Sequence, residues 1–260
     1  MTKLLPMDYA LPPLFAIAIW WLGTGVVMLL DGMPRRTHRL SLAISTAIAV
    51  GALVCIAKSA HNTGVAGAYA AFTCAVLVWG WHELAFLTGW LTGPRKDACS
   101  APLHGPTRFN EAVQAILWHE LAIIGMGLAI AALTWGGANQ VATWTFALLW
   151  VMRLSAKFNL FLGVRNRGEE FLPPHLLYLA SYFRRRKINP LLPLSVLAGT
   201  IVAVAMITSA IDASGAERTG LLLVASMLVL ALIEHLLLVT PLPPTLLWRW
   251  ALRPPATTAP

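Results

Sequence analysis

The sequence has very little charge, with Asp, Glu, Lys and Arg making up 12% of its 260 residues. Ordinary soluble domains carry about 25% charged residues. Hydrophobic residues make up 58% of the chain, and the mean hydropathy is +0.70. So few charges cannot cover a water-exposed surface, which excludes a soluble globular protein. The chain also lacks the concentrated Lys and Arg face that nucleic-acid binding needs, so we expect no nucleic acid among its partners.

The sequence is also poor in cysteine and in catalytic motifs. Cys55 and Cys74 lie in apolar runs and Cys99 lies in a loop, which excludes a disulfide framework and a zinc ribbon. No P-loop, dinucleotide-binding glycine fingerprint or Gly-x-Ser-x-Gly motif is present. These absences favour a non-enzymatic role without deciding it.

Long apolar runs are what the chain has in abundance. A membrane-spanning helix needs about 20 mostly apolar residues, and seven stretches qualify. They lie at residues 11–30, 40–57, 65–91, 111–135, 138–162, 191–211 and 219–239. We therefore predict an all-α integral membrane protein, a single polytopic membrane domain of residues 1–260 with about seven transmembrane helices.

Lys and Arg are distributed unevenly between the predicted loops. Fourteen of them fall in the first, third and fifth loops and in the C-terminal tail. Lys3, Lys58 and Arg218 fall on the opposite side. Because short loops rich in Lys and Arg stay in the cytoplasm, we predict that the N-terminus lies outside and the C-terminus lies in the cytoplasm.

The fifth loop is the longest, and its residues 172–188 predict a segment at the membrane interface. Apolar residues at 176–183 precede four consecutive cations. These cations are Arg184, Arg185, Arg186 and Lys187. We expect the apolar side to lie among the lipid headgroups and the cations to contact anionic lipid. The alternative is a basic loop that only sets topology. The tail segment Trp248-Arg249-Trp250 predicts a second interfacial anchor.

Ionisable residues also lie inside the predicted spans, where each costs at least ~2.5–3.5 kcal/mol. Three histidines each stand next to a glutamate, and two cations lie in the fifth span. These residues are His82, Glu83, His119, Glu120, Glu234, His235, Arg153 and Lys157. They share one depth in the cytoplasmic half of the membrane. We therefore expect spans three, four, five and seven to meet there, with the histidines and glutamates facing the two cations.

Several interpretations of this layer stay open. Glu and His from several helices can hold a metal, although the Glu-x-x-His and His-Glu-x-x-His spacings are absent. A buried neutral histidine is a good axial ligand for a tetrapyrrole, and the eleven tryptophans supply flat apolar surface. The layer can also be a neutralised network that holds the bundle together. A transporter relay would need a water-filled route to His82 and His119.

Seven ordered runs within the middle of the chain are distinctive. They are residues 82–95, 117–122, 144–146, 150–157, 159–166, 170–175 and 182–184. Together these runs are spread from about residue 80 to 195 and resemble the PuhE family, the photosynthetic complex assembly proteins of purple phototrophic bacteria. The flanking predicted helices fit that family by length.

The resemblance implies an integral protein of the inner membrane, in its cytoplasmic or intracytoplasmic part. It implies a role in assembling the reaction centre and light-harvesting complex, or in modulating bacteriochlorophyll supply or insertion. Expected partners are photosynthetic complex subunits or pigment-synthesis enzymes, and expected cofactors are bacteriochlorophyll, another tetrapyrrole or a metal. The alternative is a membrane-embedded metalloenzyme whose Glu and His layer acts on a tetrapyrrole or another lipophilic substrate. The family provides no catalytic residues to carry over.

Overall fold

The computed structural model describes residues 7–100, 105–240, 248, 250 and 251, and this part of the chain contains helices and no β-strand. Seven helices in it are long and apolar enough to cross a membrane, which confirms the predicted all-α, seven-helix class. They are α1 (Met7–Asp31), α2 (Arg35–Ser59), α3 (Val65–Leu87), α4 (Pro106–Leu133), α5 (Val141–Leu162), α6 (Leu191–Asp212) and α7 (Gly215–Leu237). Two short 3₁₀ segments, Glu169–Phe171 and Pro174–Tyr182, follow α5.

Helices α3 and α7 form the centre of the bundle. In their most apolar windows 50% and 61% of the residues are buried, against 11% in both α1 and α6. Helix α3 packs against α1, α2, α5 and α7, and α7 also packs against α6, α1 and α5. Helix α4 lies at the side, where it contacts α5, α2 and α3. The lipid-facing surface is therefore formed mostly by α1, α2, α4 and α6, whose exposed residues are largely apolar.

Helix α3 ends at Leu87, four residues before the end predicted for its span. Gly89 has a φ of +76°, a conformation that favours glycine, and turns the chain back along α4. Thr92 O then accepts a 2.8 Å hydrogen bond from the backbone N–H of His119. A Cβ on Gly93 would overlap with the backbone of α4. The loop after α3 thus continues the packed interior instead of extending the helix.

The 3₁₀ segment Pro174–Tyr182 covers one end of the bundle, and its apolar side chains face inward. Leu176, Leu179 and Tyr182 are buried in a cluster with Phe86 of α3 and Ala115 of α4. These three side chains therefore pack on protein, whereas Leu177 of the same segment is 51% exposed. Contact of the segment with the headgroups stays a prediction. The cations that follow remain accessible: Arg185, Arg186 and Lys187 are exposed and Arg184 is partly buried. Their contact with anionic lipid stays a prediction.

The described residues of the tail pack on α1. Trp248 is buried, and its Nε1 donates a 3.2 Å hydrogen bond to Trp21 O. The ring of Trp250 occupies the space beside Gly25, where any Cβ would overlap with it. Arg249, the middle residue of the predicted anchor, lies outside the described residues. The two tryptophans thus contact a helix of the same chain.

Candidate functional site

An ion pair between α3 and α5 is the first element of the intramembrane polar layer. Arg153 Nη2 donates a 2.9 Å hydrogen bond to Oε2 of Glu83. Oε1 of Glu83 is buried and has no hydrogen-bond partner among the described residues. The Arg153 side chain remains 43% exposed, against 14% for that of Glu83. One carboxylate oxygen and much of the guanidinium are therefore not used by the pair itself.

A second ion pair joins α4 to α5, one helical turn further along α5. Lys157 Nζ donates to Oε1 of Glu120 at 2.5 Å, and Trp150 Nε1 donates to Oε2 at 3.2 Å. Both oxygens of this carboxylate are thus occupied. The Lys157 and Glu120 side chains are 18% and 15% exposed, so this pair is more enclosed than the first.

Glu234 and His235 bring α7 into the layer, but they bind neither cation directly. Oε1 of Glu234 accepts a 3.0 Å hydrogen bond from Nε1 of Trp20 in α1. His235 Nδ1 lies 2.8 Å from Ala231 O in its own helix, and Nε2 lies 3.0 Å from Ser155 Oγ in α5. Five helices therefore contribute to the layer. The sequence indicated α3, α4, α5 and α7, and it gave no sign that α1 would join through Trp20.

His82 of α3 and His119 of α4 form a separate buried pair. Their ring centroids are 6.5 Å apart, and both side chains are almost fully buried. Neither nitrogen of either ring has a hydrogen-bond partner among the described residues. The ring of Phe86 lies 4.5 Å from that of His119, and the ring of Phe146 lies 5.9 Å from that of His82. The two imidazoles thus lie in an aromatic surrounding, and neither forms a hydrogen bond with the two cations.

A large cavity of about 1160 Å³ adjoins the layer. It is lined by α1, α2, α3, α5 and α7, by residues 166–175, by two apolar residues of α4 and by part of the Pro174–Tyr182 segment, and most of this lining is apolar. Its aromatic wall includes Trp20, Trp79, Trp81 and Trp248. Its charged or titratable wall includes Glu83, Arg153, Lys157, Glu234 and His235. Five of the eight residues predicted for the polar layer therefore line a cavity.

His82, His119 and Glu120 do not line this cavity. A relay through it would therefore have no route to the two buried imidazoles. For the same reason, neither ring is placed as an axial ligand for a molecule held in the cavity. Among the residues that the structure describes, no three His, Cys, Asp or Glu residues form a group that could hold a metal ion. The metalloenzyme alternative consequently has no ligand set in that part of the chain.

Residues 166–175 cross one end of the cavity, from α7 to α3. Asn166 Nδ2 donates a 2.7 Å hydrogen bond to Leu237 O of α7. At the other end of the segment, Nε2 of His175 lies 2.9 Å from Leu87 O of α3. Burial is the largest influence on the His175 ring and lowers its pKa below the ordinary value of 6.5, which favours the neutral form.

Sequence reasoning missed His38 and His175 as cavity residues, because both fall outside the apolar runs. His38 Nε2 lies within 3.1 Å of Asp31 O and 3.0 Å of Met33 O, where it closes the turn between α1 and α2. Trp20 and Trp150 were missed for a different reason. A tryptophan in an apolar run is read as lipid-facing or core surface, although its indole N–H needs an acceptor when it is buried.

The chain has relatives among known sequences. No solved structure matches it. A protein of Rhodobacter capsulatus described as "Uncharacterized 30.4 kDa protein in puhA 5'region" is 39% identical over 244 residues, which cover 92% of this chain and 89% of that protein. Residues 7–259 match the family described as "Protein of unknown function (DUF3623)". With nearly its whole length matched, the chain belongs to this family.

Proposed function

We propose that the chain is a membrane-embedded assembly factor for the photosynthetic reaction centre and light-harvesting complex, as its resemblance to the PuhE family implies. The position of the Rhodobacter capsulatus relative in the puhA 5' region supports a role among photosynthesis proteins. The observation that carries the proposal is the cavity of about 1160 Å³, which lies among membrane-spanning helices and has a polar wall. A cavity of this kind suits a factor that holds bacteriochlorophyll or a precursor during supply or insertion.

The proposal includes partners and a membrane. Subunits of the photosynthetic complexes or enzymes of pigment synthesis would bind the outer helices, since the described chain contains no soluble domain that could serve instead. The membrane would be the inner membrane, meaning the cytoplasmic membrane or the intracytoplasmic membranes continuous with it. The exposed Arg185, Arg186 and Lys187 would lie on its cytoplasmic side, in agreement with the predicted topology.

A gene replacement tests the assembly role. The relative's gene is deleted in Rhodobacter capsulatus, and this chain is expressed in its place. We expect the deletion to lower the reaction-centre and light-harvesting absorption per cell, and we expect this chain to restore it. A deletion strain with unchanged complexes would contradict the assembly role. Membrane fractionation of the complemented strain locates the protein, and affinity purification after mild crosslinking identifies the partner subunits.

A further inference from the structure

The cavity lies between α1 and α2, and α3 forms the wall behind it. Helix α1 packs along α7 and α3, and α2 packs along α3, but α1 and α2 make few contacts with each other. Both helices nevertheless line the cavity. Gly80 on the α3 wall has free space in front of it, since a Cβ there would meet only Val27 Cγ2, at 4.0 Å. Such a gap between two peripheral helices opens sideways toward the lipid.

Protein crosses one end of the cavity. Residues 166–175 run from the end of α7 to the end of α3, and Trp248 packs beside them on α1. Phe171 and Trp248 are in edge-to-face contact, with ring centroids 6.4 Å apart. An occupant that enters through the gap between α1 and α2 would arrive from the bilayer, which requires it to be lipophilic.

The walls also define the shape of the occupant. Drug-sized ligands fill about 300–1,000 Å³, and this cavity exceeds that range. Four tryptophans line it, and their flat faces favour stacking with a flat conjugated ring. The size and the walls together indicate a large ring system with an apolar extension.

The charges of the layer define the polar group of the occupant. Arg153 uses one N–H for Glu83, and a guanidinium has five N–H donors, so further donors face the cavity. These donors would bind an acceptor oxygen. The charged side chains that line the cavity are balanced, with Asp31, Glu83, Glu170 and Glu234 on the acidic side and Arg35, Arg153, Lys157 and Arg167 on the basic side. A bound anion would leave this wall with a net negative charge, whereas a neutral carbonyl would keep the balance.

We infer that the cavity binds a neutral, flat, carbonyl-bearing lipophile that enters from the bilayer between α1 and α2 and accepts a hydrogen bond from Arg153. Two sources share this chemistry, a long-chain quinone and an esterified tetrapyrrole. The inference rests on the proposed function only in using the same cavity, and it requires no role in assembly. Arg153 acts here as a binding residue, and Glu83 holds its guanidinium in position.

Binding to the purified full chain tests the inference. The protein is produced in a non-phototrophic bacterium and placed in lipid nanodiscs. It is then titrated separately with a long-chain quinone, an esterified tetrapyrrole and the same tetrapyrrole with free carboxylates. Quenching of tryptophan fluorescence and the amount of ligand retained after gel filtration report binding. We expect saturable binding of at least one neutral compound at one per chain, and binding of the free acid that is at least about tenfold weaker.

Two glycine variants provide a matched pair. Gly80→Leu places a side chain in the cavity without a close backbone contact, whereas Gly125→Leu places the same side chain on the outer surface of α4, where nothing lies within 4 Å. We expect Gly80→Leu to weaken binding at least about tenfold and Gly125→Leu to leave it unchanged. The double variant Glu83→Gln/Arg153→Gln removes both charges together and keeps amides that can pair. It is expected to fold and to lose the preference for carbonyl ligands.

The outcomes separate clearly. Saturable binding of the quinone alone or of the esterified tetrapyrrole alone supports the inference and identifies the source. Absence of saturable binding by both, equal effects of the two glycine variants, or free-acid binding as tight as that of the ester would each overturn it. Ligand binding without any effect of the gene deletion in cells would contradict the assembly role and leave this inference standing.

Discussion

The run Trp-His-Glu-Leu-Ala occurs twice, at residues 81–85 in α3 and 118–122 in α4, and the two copies have different surroundings. In α3, Trp81 Nε1 donates a 2.8 Å hydrogen bond to Thr46 Oγ1 of α2, and Glu83 lines the cavity. In α4, Trp118 is 51% exposed on the outer surface. Glu120 has both oxygens bonded and does not line the cavity.

The position of each helix in the bundle explains this difference. Helix α3 is central and has neighbours on most sides, whereas α4 lies at the periphery and presents one face to lipid. Identical residues therefore form an ion pair with both partners on the cavity wall in one helix, and a pair with only Lys157 on that wall in the other. Glu83 keeps one oxygen without a partner among the described residues, whereas both oxygens of Glu120 are bonded between α4 and α5.

The largest effect is expected from Glu120→Ala. This change leaves Lys157 without its carboxylate and leaves the indole N–H of Trp150 unpaired. Removing one partner of a buried pair costs about 3–5 kcal/mol. Folded yield in detergent and the midpoint of thermal unfolding measure the loss. Glu120→Gln, which keeps an acceptor for Trp150, should lose less. Wild-type stability of Glu120→Ala would show that this pair does not hold the helices together.

A smaller loss of stability is expected from Glu83→Ala, about 1.5–3 kcal/mol for one charged hydrogen bond. The cation that remains, Arg153, has 43% of its side chain exposed toward the cavity, so it is less isolated than Lys157 would be. The same unfolding assay, run beside Glu120→Ala, compares the two copies directly. A loss equal to that of Glu120→Ala would remove the distinction between the two ion pairs.

A still smaller effect concerns acid and the end of α3, where His175 contacts Leu87 O. The end of α4 is bonded by an amide that does not titrate, since Gln140 Nε2 donates to Thr134 O at 2.6 Å. Because burial lowers the folded-state pKa of His175, the unfolded chain binds its proton first as the pH falls. This contribution is unaffected above about pH 6.5, and stability then falls with decreasing pH by at most about 1.4 kcal/mol per pH unit.

Hydrogen–deuterium exchange of the backbone amides at residues 87–91, compared between pH 7.5 and 5.5, measures local unfolding at the end of α3. His175→Gln keeps a donor for the carbonyl and should make exchange there independent of pH in this range, once the intrinsic exchange rate is corrected. His61→Gln changes an exposed histidine near the opposite ends of the helices and serves as the control. Protection that rises on acidification would contradict the sign of the effect.

The smallest effects are expected from His82→Leu and His119→Leu, one in each copy. Both rings are buried with unpartnered nitrogens, so an apolar side chain removes an unsatisfied group while it alters the packing. These contributions oppose each other, and we expect stability within about 1 kcal/mol of wild type for both. Ligand binding in the cavity should also be unchanged. A large loss in only one variant would show that the two histidines differ as much as the two glutamates do.

Much of the fold was predictable because the membrane imposes it. Apolar runs of sufficient length give seven helices, and the predicted spans differ from the observed helices by a few residues at their ends. The end of α3 was predicted too late, since Thr88–Leu91 is as apolar as a helix would be while Gly89 turns the chain. The amphipathic pattern around Pro174–Tyr182 did not indicate that Leu176, Leu179 and Tyr182 would pack on α3 and α4.

The residues of the site could be predicted from the sequence, but the ion pairs that they form could not. An unpaired charge inside an apolar span is costly, so the sequence indicated that the ionisable residues of the spans would pair. These residues include Glu83, Glu120, Arg153 and Lys157. Which glutamate binds which cation depends on helix rotation and position, and no spacing within one helix encodes these. His82 and His119 illustrate the same limit, since they share the depth of the layer but face each other instead of the cations.

The amino-acid sequence alone indicates a membrane protein of seven helices with ionisable residues at one depth. The length of an apolar run and the presence of an ionisable residue within it can both be read from a short stretch of sequence. The tertiary structure decided which of those residues face a cavity and which are enclosed, and it brought Trp20 and Trp150 to the carboxylates. These outcomes depend on how five helices pack around α3, where each side chain's surroundings come from residues distant in the chain.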